Sequence, residues 1–113
     1  MTEDRIKDQL IRMHSCCEHI LDFSSGLSFQ EFSEDLRTQQ ATIMNILLIG
    51  EVATKLVQKF PEITTTYPDI PWNNIRGMRN RIAHEYFDLD LNVIWKTIHT
   101  AIPDLKARLQ KLI

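Results

Sequence analysis

The residues with the clearest capacity for chemistry lie in one polar stretch at 72–86, which reads W-N-N-I-R-G-M-R-N-R-I-A-H-E-Y. This stretch contains three arginines, Arg76, Arg79 and Arg81, and one histidine, His84. An arginine side chain is a permanently charged, planar fork that matches two phosphate oxygens, and histidine can transfer protons near neutral pH. Together these residue types indicate chemistry on a phosphodiester.

Cleavage of RNA without a metal ion requires three groups. A base deprotonates the ribose 2′-OH, an acid protonates the leaving 5′-oxygen, and a cation stabilises the extra charge on phosphorus. The stretch contains one histidine, so one chain supplies one proton carrier. A symmetric homodimer that apposes two such stretches would supply both, and we therefore expect dimerisation on mechanistic grounds.

The spacing of the polar residues places them on one face of a helix. At about 100° per residue, Arg76, Asn80 and His84 share the face of Arg79. The opposite side carries Ile75, Met78 and Ile82, which can seat the helix in a core. Such a polar face is most often a solvated surface, and spacing alone does not separate that alternative from a catalytic site.

The remainder of the chain predicts helices that could hold this face in place. Glycine and proline together number seven of 113 residues, which favours long elements over short strands. Apolar steps of three and four residues predict helices over 2–24, about 34–60, 72 to about 84, and from 91 onward. Ser28 and Glu31 have the spacing of a capping box, and Pro103 should kink or split the last helix. Residues 61–71 are expected to form a loop.

We therefore predict an all-α fold, an antiparallel bundle of four main helices plus a short helix, in a single domain over 1–113. With 13 basic and 15 acidic residues the net charge is -2, and 43% of the residues are hydrophobic. This composition argues against disorder and against a globally basic nucleic-acid coat. No apolar run approaches the ~18 residues of a membrane span, and the adjacent cysteines suit a reducing compartment. We expect a cytoplasmic protein without a membrane partner.

Other candidate residues point to structure. The histidines and cysteines at 14–19 fall on different faces of a helix, so no three of them converge on a metal ion. We expect no metal and no cofactor. Trp72 and Trp95 could stack on RNA bases, but their spacing among isoleucines and leucines favours core packing. Glu51, a charged residue near the apolar stripe of the second long helix, could pair with an arginine or face the cleft, and its role stays open.

Residues 79–86, R-N-R-I-A-H-E-Y, resemble the R-x4-H-x-Y motif, with Asn after the Arg, of the HepT-like toxins in the HEPN superfamily. Further similarities follow in the order of that family, at 49–51 (I-G-E), 70–72 (I-P-W), 77–80 (G-M-R-N) and in the tail around Asp90, Leu91, Trp95 and Pro103. The resemblance implies a small all-helical HEPN-like homodimer with its active cleft between protomers. It also implies a metal-independent endoribonuclease, typically the toxin of a prokaryotic toxin-antitoxin pair.

The resemblance assigns roles to individual residues. The motif Arg, Asn and His fall on Arg79, Asn80 and His84, which would form the catalytic group. We expect Arg79 to clamp the scissile phosphate, His84 to act as general acid or base, and Asn80 to orient the substrate or the imidazole. Arg76 and Arg81 would guide the backbone of single-stranded RNA.

The motif tyrosine falls on Tyr86. In this family the cognate antitoxin is a minimal nucleotidyltransferase that attaches AMP to that tyrosine, so the resemblance implies an AMP acceptor here. A continued helix would turn Tyr86 to the apolar side, and we therefore expect the helix to end near His84 or Glu85, with 84–86 extended. The alternative for Tyr86 is core packing with its hydroxyl at the rim. The alternative for the whole chain is a non-catalytic helical subunit that binds a minimal nucleotidyltransferase.

Overall fold

The protein is described here by a computed structural model that covers residues 2–113. Its helices are α1 (Thr2–Ser24), α2 (Phe29–Ser33), α3 (Leu36–Lys59), α4 (Ile63–Thr66), α5 (Trp72–Glu85), α6 (Leu91–His99) and α7 (Ala101–Gln110), with a 3₁₀ turn at Tyr86–Asp88. Over residues 2–113 there is no strand. The predicted all-α class is confirmed.

α1 and α3 pack against each other in opposite directions. His19 of α1 places its Nδ1 atom 3.4 Å from Oδ1 of Asn45 in α3. Leu10, earlier in α1, lines a cavity with Phe60, which lies just beyond the end of α3. Because the earlier residue of α1 meets the later part of α3, the two helices are antiparallel.

α5 also packs against α3 and is antiparallel to it. Ile49 and Ile75 line one cavity, whereas Ile43 and Tyr86 line another. α7 packs on α1 and joins α6 to complete the bundle. α3 is therefore the central helix, and it positions the polar stretch of α5.

The buried apolar residues form one core to which all the main helices contribute. They include Leu10, Met13, Cys17 and Ile20 of α1, Ile43, Ile46, Ile49, Ala53 and Leu56 of α3, Trp72 and Ile82 of α5, and Ile94, Ile98, Ile102, Leu105 and Leu109 of α6 and α7. Within residues 2–113, α3 is long and apolar enough to cross a membrane by length and composition. It serves here as the core helix of the bundle, so that composition is weak evidence for a membrane span.

Two predicted local signals determine where helices begin and end. The backbone N–H of Ser28 donates to Oε1 of Glu31 at 2.9 Å, and the Glu31 N–H donates to Oγ of Ser28 at 3.1 Å, which confirms the capping box. Pro103 lies in the first turn of α7, where its missing N–H leaves no hydrogen bond unmade. The last helix is split at Thr100, because the proline ring would clash with the carbonyl of His99 in a continuous helix.

The segment 61–71 differs from its prediction. It contains the four-residue helix α4, so the bundle carries two short helices, α2 and α4, beside its main helices. The side chain of Ile63 is buried at the start of α4 and ties this segment to the core. Burial of a single isoleucine does not produce a helical period in the sequence, which is why no helix was expected here.

Candidate active site

Arg79 lies at the seam between α5 and α3. Its Nε–H donates to Oε1 of Glu51 at 2.5 Å, across 28 residues of sequence. The two side chains are 29% and 35% exposed, so the ion pair is at the edge of the bundle and faces solvent on one side. A charged pair in this position can reach a ligand outside the core.

A second acceptor holds the same guanidinium group. Nη1 of Arg79 donates to Oδ1 of Asn80 at 3.0 Å, and Asn80 itself is exposed. Glu51 and Asn80 thus contact the guanidinium from two helices at different nitrogens. The plane of the arginine fork is fixed before any substrate binds, which limits the entropy lost on binding.

His84 lies five residues after Arg79 and is exposed near the end of α5. Within residues 2–113, no hydrogen bond connects His84 with Arg79 or Asn80. The structure therefore places the imidazole at the surface of the same helix, but it does not join these three predicted catalytic side chains into one hydrogen-bonded group in a single chain.

Arg76 and Arg81, the two arginines expected to guide RNA, occupy different surroundings. Arg76 is half-buried, one turn before Arg79. Arg81 is exposed, and its Nε atom lies 3.9 Å from Oε2 of Glu85 in an i,i+4 pair. Residues two apart on a helix do not share a face, so Arg81 is directed away from Arg79. Of these two arginines, Arg76 extends the face of Arg79.

Tyr86 follows α5, which ends at Glu85 as expected. The expectation of an extended segment over 84–86 is wrong, because Tyr86 has φ -49° and ψ -47° and begins the 3₁₀ turn. Glu85 departs from helical geometry, with φ -130° and ψ 30°, so helical periodicity does not set the direction of the Tyr86 ring. The ring lines a groove with Ile43, Met44, Leu47 and Ile82, among others, and is 39% exposed. This environment resembles the rim-packing alternative.

An exposed apolar surface runs beside the polar face. It is formed by Met44 and Leu48 of α3 together with Tyr86 and Phe87 after α5, and we call it the α3–α5 apolar surface. Phe87 is 97% exposed and makes an edge contact with the ring of Tyr86, 5.5 Å between centroids. Exposed apolar surfaces of this kind commonly mark sites of protein association.

The side chains at 14–19 do not form a metal site. Nδ1 of His14 lies 3.4 Å from Oε1 of Glu18, and His19 contacts Asn45 and the ring of Phe23. In the part of the chain that the structure describes, no group of three or more histidine, cysteine or acidic side chains is placed to hold a metal ion.

The remaining candidate residues from the sequence are the two tryptophans and Glu51. Trp72 is buried and donates its indole N–H to the carbonyl of Tyr67 at 3.0 Å. Trp95 is half-buried and packs on Phe32 of the core, with 5.2 Å between ring centroids, so both tryptophans take part in packing as expected. Of the two alternatives for Glu51, pairing with an arginine is the one observed, and the partner is Arg79. The sequence did not identify which arginine this would be.

Comparison with known proteins identifies the family of this chain. The family described as "Ribonuclease HepT-like" matches residues 13–112. A protein of Thermococcus cleftensis named "Probable ribonuclease HepT" is 35% identical over 94% of this chain and 94% of its own.

Two further relatives carry provisional RNase names. One, from Caldanaerobacter subterraneus subsp. tengcongensis, is 32% identical over 86% of this chain and 84% of its own. The other, from Methanocaldococcus jannaschii, is 30% identical over 100% of this chain and 95% of its own. No solved structure matches the chain significantly. The chain therefore belongs to the ribonuclease HepT-like family of HEPN-type RNases.

Proposed function

We propose that this protein is a metal-independent endoribonuclease, the toxin of a prokaryotic toxin-antitoxin pair, and that it acts in the cytoplasm. Arg79, Asn80 and His84 would form its catalytic group in a cleft between two protomers. The observation that carries the proposal is a preorganised guanidinium at the edge of the bundle, with an exposed imidazole on the same helix, in a chain of the ribonuclease HepT-like family.

His84, Arg79 and Asn80 would each take a different part in RNA cleavage. One imidazole accepts the proton of the ribose 2′-OH as the 2′-oxygen attacks phosphorus, and the bond to the 5′-oxygen breaks as that oxygen receives a proton. The products are a 2′,3′-cyclic phosphate and a 5′-hydroxyl end. Arg79 stabilises the charge that develops on the phosphoryl oxygens, and Asn80 orients the guanidinium or the substrate. Arg76 and, further away, Arg81 attract the RNA backbone.

The second proton carrier would come from a second copy of the chain. The α3–α5 apolar surface lies on the two helices that carry Glu51 and Arg79, so its burial against a partner would bring two polar faces together. In such a homodimer the His84 of each protomer would take one of the two proton-transfer roles. Dimerisation would also cover Met44 and Phe87, which are exposed in the single chain.

Regulation by a minimal nucleotidyltransferase antitoxin belongs to the same proposal. Tyr86 lies in the α3–α5 apolar surface and is 39% exposed in the single chain, so its hydroxyl would accept AMP at the rim of the dimer cleft. The added phosphate would place negative charge near Arg79 and the nucleotide would occupy the cleft, so both charge and volume would exclude RNA.

The test is cleavage of single-stranded RNA by the purified chain and by His84→Ala. Because His84 is exposed, its removal should leave the melting temperature unchanged and reduce cleavage by about 10²-fold or more. His99→Ala, at an exposed histidine on α6, is the matched control and should cleave like the parent. Activity should survive EDTA and weaken as salt rises. Equal cleavage by His84→Ala, or a strict Mg²⁺ requirement, would refute the mechanism.

Expression in cells separates the enzyme from the alternative, a non-catalytic subunit of a nucleotidyltransferase. Growth arrest that His84→Ala relieves supports the nuclease. Harmless expression of the parent together with a stable complex with the transferase supports the alternative. Intact mass after co-expression tests the modification, because AMP on Tyr86 adds a defined mass that Tyr86→Phe abolishes.

A further inference from the structure

We infer that Glu51 is the positioning residue for Arg79, and that its carboxylate determines which edge of the guanidinium meets the scissile phosphate. This inference rests on the proposed ribonuclease function. It adds a residue from α3, outside the R-x4-H-x-Y stretch, to the machinery on α5.

The hydrogen bonds of Arg79 restrict how it can bind. A guanidinium has five N–H donors in a rigid fork. The Nε–H donates to Glu51 and one N–H of Nη1 donates to Asn80, so the remaining three donors lie at the outer end, on Nη1 and Nη2. A phosphate can therefore be held through this outer end, while the edge that includes Nε is already occupied by the carboxylate.

The backbone next to Glu51 is built for this contact. Gly50, the preceding residue, is buried under Arg79, and a Cβ at position 50 would overlap the Cβ and Cγ atoms of that side chain. The absence of a side chain at Gly50 lets the stem of Arg79 lie on α3 and brings its Nε atom to Glu51. Gly50 and Glu51 thus seat the arginine together.

The exposure of the pair indicates a role other than stability. Ion pairs that are partly exposed contribute little to the stability of a fold, because water screens both charges. A negative charge beside the phosphate site also weakens attraction to RNA. A carboxylate that stabilises the fold little and opposes substrate binding is best explained by the orientation it imposes on Arg79.

This reasoning predicts opposite effects on binding and turnover. Glu51→Gln keeps the size of the side chain and removes the charge, so the dissociation constant for an uncleavable RNA with a 2′-deoxyribose at the cut site should fall about two- to threefold. The kcat should fall about tenfold or more, because the guanidinium is no longer held at a fixed angle. Glu51→Asp, which keeps the charge, should recover part of kcat.

A spectroscopic readout follows the contact itself. The Nε–H resonance of Arg79, assigned by its loss in Arg79→Lys, should shift in Glu51→Gln toward the position of an arginine in water. Glu34→Gln removes an exposed carboxylate at the residue that follows α2 and is the control for net charge. It should leave kcat, the dissociation constant and the Nε–H resonance unchanged.

The outcomes separate the two proposals. If Arg79→Ala and His84→Ala cleave RNA as fast as the parent, the ribonuclease function fails, whatever Glu51 does. If those variants are inactive but Glu51→Gln keeps the parent's kcat and Nε–H resonance, the positioning role is overturned. If Glu51→Gln loses RNA affinity and melting temperature along with kcat, Glu51 is structural and the inference is again overturned. If Glu51→Gln has a lower kcat, binds RNA more tightly and shifts the Nε–H resonance of Arg79, the positioning role of Glu51 is supported.

Discussion

Gly50 of α3 faces Arg79 of α5 so closely that any side chain at position 50 would overlap the Cβ and Cγ atoms of the arginine. The other glycine near the site, Gly77, has nothing within 4 Å of the position that a Cβ would take. The two glycines lie on facing helices and have opposite packing requirements. Their difference identifies the place where the central helix supports the arginine.

Substitution of these two glycines by alanine should have effects of opposite sign. Gly50→Ala forces α3 and α5 apart at Arg79, and we expect it to lower the free energy of unfolding by about 1–3 kcal/mol. Gly77→Ala places a methyl group in open space and restricts the unfolded chain, which should raise stability by about 0.5–1 kcal/mol. Urea unfolding followed by circular dichroism measures both. A Gly50→Ala protein as stable as the parent would contradict the packing described here.

The α3–α5 apolar surface predicts the effect of a charge at Met44, which is 52% exposed. If the proposed homodimer forms through this surface, Met44→Glu should convert it to a monomer, because burial of an unpaired carboxylate in an interface is costly. RNA cleavage should fall with the dimer, since the proposed cleft needs two protomers. Light scattering after size exclusion measures the mass, and Thr65→Glu, at an exposed position on α4, controls for the added charge. A monomeric parent that cleaves RNA would exclude the dimer cleft.

The two adjacent cysteines should differ in reactivity. Burial raises the pKa of the Cys17 thiol to about 12, and burial also raises the pKa of the half-buried Cys16 thiol. A thiol reagent at pH 8 should therefore label Cys16 slowly and leave Cys17 unlabelled until the protein unfolds.

The raised pKa of Cys17 also affects stability at high pH. Above the ordinary value of 9.0 the unfolded chain loses this proton and the folded chain keeps it, so stability should decline between pH 9.0 and about 12. Cys17→Ala removes this dependence of stability on pH.

The labelling prediction is checked separately. Mass spectrometry of the labelled native protein counts the reactive thiols, and rapid labelling of both thiols in the native protein would show that Cys17 is not buried.

The α2 capping box predicts a response to acid. The backbone N–H of Ser28 donates to the Glu31 carboxylate and lowers the pKa of that group from its ordinary 4.5. A lowered pKa in the folded state means that the stabilisation is present above pH 4.5 and is lost as pH falls through the folded-state pKa. The stability difference between the parent and Glu31→Gln should therefore shrink on acidification. Thermal melts at several pH values measure it, and a constant difference would show that the carboxylate charge does not matter.

Much of the helical architecture follows from local sequence. The prediction of 2–24 for the first helix coincides with α1, and the predicted helix from 72 to about 84 ends one residue before α5 does. The capping box and the break before Pro103 were also correct. These features depend on apolar periodicity and on capping residues. Both are determined by residues that lie within a few turns of one another in the chain. The short helix α4 has no such signal.

The sequence by itself determined the helical class, the polar face of α5 and the family, because residue types at fixed helical spacing carry that information. Only the tertiary structure decided that Arg79 pairs with Glu51, 28 residues earlier, and that Tyr86 turns toward the groove beside Ile43. A contact between two helices depends on how closely their backbones approach, and the direction of a side chain after a helix depends on one or two backbone angles. Neither quantity is encoded in the spacing of residues along one helix.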